Sequence, residues 1–121
     1  MFVAGLLVRI GLAEYVLTRV KERLPDSVLY EAYARCIYQG TEYRVGDSRS
    51  LRMPGYPAFI AACWRLSGGE NLRAVLYGQA MLGTLTGWIV YRLGRRFEEK
   101  GAPLGTAWLA AAITLFEPYS L

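Results

Sequence analysis

Residues 74–91 read AVLYGQAMLGTLTGWIVY, eighteen positions without a charged side chain. As a helix rising 1.5 Å per residue this stretch covers about 27 Å, close to the hydrocarbon thickness of a bilayer. Gln79, Gly83, Gly87 and Tyr91 recur every four residues, so they form one row on such a helix. The small residues in the row, a G-x-x-x-G pair, would let another helix approach closely. The run predicts a membrane span over about 72–93, with packing partners along the glycine row.

Two further stretches read the same way. Residues 2–20, FVAGLLVRIGLAEYVLTRV, are apolar apart from Arg9, Glu14 and Arg19. Arg9 lies about 10 Å along a helix from Met1. From there its guanidinium could snorkel toward the N-terminal side. Glu14 is expected to face other helices, or else the stretch lies partly in the interface. Residues 102–116, APLGTAWLAAAITLF, are uncharged, and Glu117-Pro118-Tyr119 follows them. The expected spans are about 2–22, 72–93 and 102–118. The fold class expected is all-α, with polytopic membrane helices and short amphipathic interfacial helices in the first outer loop. Residues 1–121 form a single membrane segment on this reading.

The outer loop, about 24–70, carries its own pattern. Pro25 ends the first helix, and Asp26 or Ser27 can cap the next. In SVLYEAYARCIYQG, residues 27–40, Tyr30, Tyr33, Ala34, Ile37 and Tyr38 share a face at helical spacing. Glu31 and Arg35 form an i,i+4 pair on the other face. About thirteen residues are too few to cross a bilayer, and the tyrosines suit the headgroup level. Gly40 can close the helix. Turns are expected at Gly46-Asp47-Ser48 and Pro54-Gly55. A second short helix should start at Pro57 and break at Ser67-Gly68-Gly69.

Charge sets the expected topology. The chain of 121 residues carries fourteen Lys and Arg against ten Asp and Glu, a net charge of +4. The cluster Arg92, Arg95, Arg96 and Lys100 lies between two apolar runs. The positive-inside rule puts 92–101 and the N-terminus in the cytoplasm and 24–70 outside an inner membrane. The arginines of the outer loop pull against that assignment. The basic residues flank apolar runs and do not group on a soluble surface, so nucleic acid is not an expected partner.

Composition excludes several chemistries. Without histidine there is no Ser-His-Asp triad and no Cys-His dyad. Cys36 and Cys63 are the only thiols, 27 apart, which rules out a C-x-x-C motif and the usual His/Cys zinc site. No metal ligand set is expected. The N-terminus lacks a basic residue before its apolar run, unlike a secretory signal.

The order of motifs carries more. After the first apolar stretch comes D-S-x-x-Y-x-x-x-A-x-x-I-x-x-G, on Asp26, Ser27, Tyr30, Ala34, Ile37 and Gly40. Arg52-Met53-Pro54-Gly55-Tyr56-Pro57 follows, then Gln79 and Gly83 in the long apolar run, then Leu93-Gly94-Arg95-Arg96. This succession resembles the N-terminal part of the GT-C superfamily of membrane glycosyltransferases, which includes protein mannosyltransferases and the lipid A aminoarabinose transferase. The resemblance covers nearly the whole chain, and R-M-P-G-Y-P is its most specific part. It implies inverting transfer of a sugar from a polyprenyl-phosphate donor to an acceptor hydroxyl. It also implies membrane lipid and the remaining helices of a longer enzyme as partners, and no cofactor beyond the lipid-linked sugar. Such enzymes are several times longer and carry a later acidic loop. The chain is therefore expected to be part of a larger enzyme and inactive alone.

Asp26 is the family-matched carboxylate. It could take a proton from the acceptor as general base, cap a helix, or do both. Arg52 could hold the donor phosphate, since a guanidinium matches phosphate oxygens in a bidentate way, or sit among lipid headgroups. Tyr56 could line the pocket or pack within its turn. Tyr30 and Tyr33 are read as an interfacial face, and Glu42 and Asp47 as solvated loop acids. The alternative reading is a small non-catalytic multi-pass membrane protein that packs with partner helices through Gly83 and Gly87.

Overall fold

The computed structural model describes residues 1–19, 25–46, 48–49 and 53–116. Among the described residues the regular elements are five helices and one two-stranded ribbon. In order it forms α1 (Phe2–Arg19), α2 (Pro25–Gln39), β1 (Arg44–Val45), β2 (Ser48–Arg49), α3 (Gly55–Ser67), α4 (Leu72–Glu98) and α5 (Thr106–Phe116). β1 and β2 pair antiparallel, with Arg44 opposite Arg49 and Val45 opposite Ser48. Gly46 at the bend has φ 60°, a left-handed conformation that a side chain would disfavour.

The expected membrane architecture is not what these helices form. Among the described residues, no helix is long and apolar enough to cross a membrane. α1 carries Arg9, Glu14 and Arg19 within eighteen residues. α4 has the length, but Gln79, Thr84, Thr86 and three glycines dilute its apolar run, and Arg73, Arg92, Arg95 and Arg96 lie toward its ends. α5 has eleven residues, or about 16 Å against a hydrocarbon core of about 30 Å. The three-span segment and the multi-pass placement in an inner membrane are thus corrected. With the spans goes the assignment of 24–70 to the outside and of 92–101 to the cytoplasm.

The helix ends follow local chemistry. Pro25 opens α2 at its first position, where a missing N–H costs nothing. Asp26 therefore sits inside the first turn and not ahead of it, and its charge complements the helix dipole there. Gly40, with φ 70°, follows the last helical residue. α3 ends as expected at Gly68, whose φ of 77° is left-handed and whose N–H donates to the Trp64 carbonyl. α4 outruns its expected end and includes RLGRRFE, because Arg, Leu and Glu are good helix formers and Gly94 within the run packs closely on Ala107.

The chain divides into two compact units, 1–16 with 76–121 and 17–75. In the first, α1, α4 and α5 meet through small residues. Ala13, Ala80, Ala107, Ala111 and Leu115 are buried. A Cβ on Gly94 would lie 2.6 Å from the Ala107 Cα, and one on Gly87 2.6 Å from the Leu115 side chain. Tyr77 on α4 donates its hydroxyl to the Glu14 carboxylate of α1, so Glu14 faces a neighbouring helix. In the second unit α2 packs on α3 around Ala34, Ile60, Cys63, Trp64 and Val75. Burial pushes the Cys63 thiol pKa up, which keeps it protonated and unreactive.

Candidate functional site

The residues singled out in the sequence fall mainly on the second unit. Asp26 is exposed in the first turn of α2. One turn on, Tyr30 meets Tyr56 edge to face, with ring centroids 5.2 Å apart. Tyr56 in turn stacks beside Phe59 at 6.2 Å. The Asp26-led helix and the Pro54-Gly55-Tyr56-Pro57 segment are therefore neighbours, although 28 positions separate Asp26 from Pro54. Pro57 is fully buried and anchors the start of α3, while Tyr56 beside it stays 41% exposed. Arg52 and Asp47 lie outside the described residues.

The tyrosine face of α2 turns into protein. Tyr33 is fully buried and stacks on Tyr43, with centroids 4.5 Å apart. Tyr30 and Tyr38 pack half-buried against the α2/α3 core. An interfacial role for Tyr30 and Tyr33 is thereby corrected: the rings at this spacing meet α3 and the ribbon. Burial, followed by the neighbouring Tyr33, Cys36 and Tyr30, raises the Tyr43 phenol above its ordinary value, so it remains neutral.

Sequence reasoning missed a charged cluster beside this face. The Arg35 Nε donates to Glu70 Oε2 at 2.8 Å. The same guanidinium lies over the Trp64 ring, 5.9 Å from its centroid. Arg65 reaches back to the Ile37 carbonyl at 3.2 Å and ties α3 to α2. The i,i+4 spacing of Glu31 and Arg35 was the only local signal, and it gave no hint of Glu70, 35 residues on.

Arg9 was also read for a different setting. Its side chain is 2% exposed in the first unit. Nε donates to the Leu115 carbonyl at 3.2 Å and Nη2 to the Thr114 carbonyl at 2.7 Å. Its head lies against Gly83, where a Cβ would come within 2.5 Å of Nη1. The glycine row of α4 is thus filled by Arg9 and Leu115 of the same chain.

Among the described residues, no group of three Cys, Asp or Glu side chains converges as a metal site would require. The arrangement at the N-terminal ends of α2 and α3 can offer the exposed Asp26 carboxylate and the exposed edge of Tyr56. Comparisons with protein-family models, with curated proteins and with solved structures find no match for this chain.

Proposed function

We propose that the chain forms the acceptor side of a glycosyltransferase that moves a sugar from a polyprenyl-phosphate donor to an acceptor hydroxyl, with Asp26 as the base. The observation that carries this reading is the Tyr30–Tyr56 contact. It brings together two of the motifs on which the resemblance to GT-C enzymes rests, and the Asp26 carboxylate is exposed one helical turn away.

The chemistry asks little of these residues. Asp26 takes the proton of the acceptor hydroxyl as that oxygen attacks the anomeric carbon. The bond from that carbon to the phosphate oxygen breaks, and the phosphate leaves with the electron pair. The Tyr56 ring offers an apolar edge for a sugar face. Arg52, just ahead of Pro54, has the fork geometry to steady the departing phosphate.

The test is a substitution that keeps the size of the side chain and removes the base. In the first turn of α2, Asn gives up only the charge–dipole interaction, about 0.3–1 kcal/mol, and takes no proton at neutral pH. In the natural gene product, Asp26→Asn is expected to preserve the far-UV circular dichroism. It should cut sugar transfer from polyprenyl-phosphate donors by about 10²–10⁴-fold. Transfer within a few-fold of wild type would leave Asp26 as a structural residue only.

A further inference from the structure

Among the described residues, α4 from Met81 to Arg96 is packed along its glycine side. Gly83, Gly87 and Gly94 face Arg9, Leu115 and Ala107 inside the first unit. On the opposite side Met81, Leu85 and Trp88 follow at helical spacing and are 67%, 50% and 46% exposed. The same row runs on into Arg92 and Arg96, both exposed. Arg92 folds back over the Trp88 ring, 5.4 Å from its centroid. From Met81 to Arg96 the row extends about 22 Å along the helix. Side chains of this size left in water along one stripe mark an interaction surface.

We propose that this face of α4 lies flat on an anionic lipid surface, with Met81, Leu85 and Trp88 in the headgroup–acyl boundary and Arg92 and Arg96 on lipid phosphates. The inference stands apart from sugar transfer and holds whether or not Asp26 is a base. It requires no helix to cross, and an in-plane helix is the geometry that an apolar stripe ending in cations favours. A tryptophan ring with an arginine stacked on it suits the headgroup level, where one side is apolar and the other charged. Charge decides against a second copy of the chain. A parallel pair would set Arg92 and Arg96 against their own equivalents. An antiparallel pair would bury them against the apolar Met81 end. An anionic lipid surface satisfies both halves of the stripe at once.

The test is sedimentation of the 121-residue chain with vesicles of phosphatidylcholine, with and without phosphatidylglycerol. Binding is expected only with the anionic lipid and should fall steeply as salt is added. Arg92→Gln and Arg96→Gln should each weaken it about fivefold, and the double variant about 25-fold. Leu85→Ser should weaken it as well, because the apolar half contributes along with the charges. Both arginines are exposed, so circular dichroism should show the variants folded. Equal binding to neutral vesicles would overturn the proposal, as would no binding to either. Self-association of the chain without vesicle binding would also overturn it and give the face to a second copy.

Discussion

The guanidinium of Arg9 gives two of its donors to the Thr114 and Leu115 carbonyls, in the last turn of α5 as it is described. Pro118, four residues after Thr114, has no N–H to give the Thr114 carbonyl, so a donor from Arg9 is favoured there. The third nitrogen, Nη1, is buried without a hydrogen-bond partner, and no carboxylate pairs with Arg9 among the described residues. A buried arginine stays charged, so these two carbonyls are what offset its desolvation. Removing it should leave two carbonyls short of a donor as well as a void. Arg9→Ala is expected to lower stability by about 2–4 kcal/mol, from the void and from carbonyls left unpaired at about 1–3 kcal/mol. Gly83→Ala alone should cost about 1–3 kcal/mol, since the new methyl meets Nη1. In the Arg9→Ala background the same methyl enters vacated space. A double-mutant cycle by urea denaturation should therefore show coupling of at least about 1 kcal/mol. Strict additivity would mean that Arg9 does not rest on Gly83. None of this was legible locally, because Arg9 and its acceptors are 105 and 106 residues apart.

At the scale of elements, the turn between α4 and α5 is held by one carboxylate. Glu98 accepts from the backbone N–H of Gly105 at 2.9 Å and of Ala107 at 3.0 Å, and from Arg95 Nη1 at 3.0 Å. These donors, the Ala107 N–H first, hold its pKa below the ordinary carboxylate value. A depressed folded pKa stabilises fully above the unfolded value and is lost as the pH falls through the folded one. Thermal stability should thus decline as the pH drops below 4.5. Glu98→Gln should lower the melting temperature at neutral pH and flatten that acid decline; an unchanged slope would show that other carboxylates set it. Glycines in the same helices separate packing from propensity. Gly94→Ala would drive a methyl to 2.6 Å from the Ala107 backbone and should destabilise by about 1–3 kcal/mol. Gly11 on α1 has nothing within 4 Å of a Cβ. Gly11→Ala should gain about 0.5–1 kcal/mol by the ordinary helix preference. Chemical denaturation of both variants checks the contrast, and a stabilising Gly94→Ala would disprove close packing of α4 on α5. The stops of α2 and α3 were legible because Gly40 and Gly68 punctuate the chain; the starts were expected later, after an Asp26 or Ser27 cap and at Pro57, where the helices begin at Pro25 and Gly55. The end of α4 was not, because a run of arginines and glutamates reads equally as a solvated loop or a solvated helix.

On the scale of the whole molecule, hydropathy misled for a physical reason. Leu, Ala and Gly on a helix answer equally to lipid and to other helices. The alanines of α5 and the glycines of α4 are occupied by each other, as the buried Ala107, Ala111 and Leu115 show. What the sequence did carry was the order of the Asp26 and Pro54-Gly55-Tyr56-Pro57 motifs; their meeting at Tyr30 and Tyr56 depended on how α2 and α3 pack. Each unit has a core of its own: Ile60, Trp64 and Ala34 in one, Ala107, Ala111 and Leu115 in the other. Separate cores favour separate cooperative openings, since each unit loses its own buried area when it opens. Ile60 is 3% exposed, and truncating a buried isoleucine to alanine costs about 2–5 kcal/mol. Ile60→Ala should therefore speed amide exchange across α2 and α3 by about 30-fold or more, where 1.4 kcal/mol is tenfold. Exchange in α5 should stay within a few-fold of wild type. Leu115→Ala should do the reverse, loosening α5 and sparing α3. Hydrogen exchange read by mass spectrometry on peptides from α3 and α5 decides the matter. If either substitution speeds both helices alike, the two cores open as one.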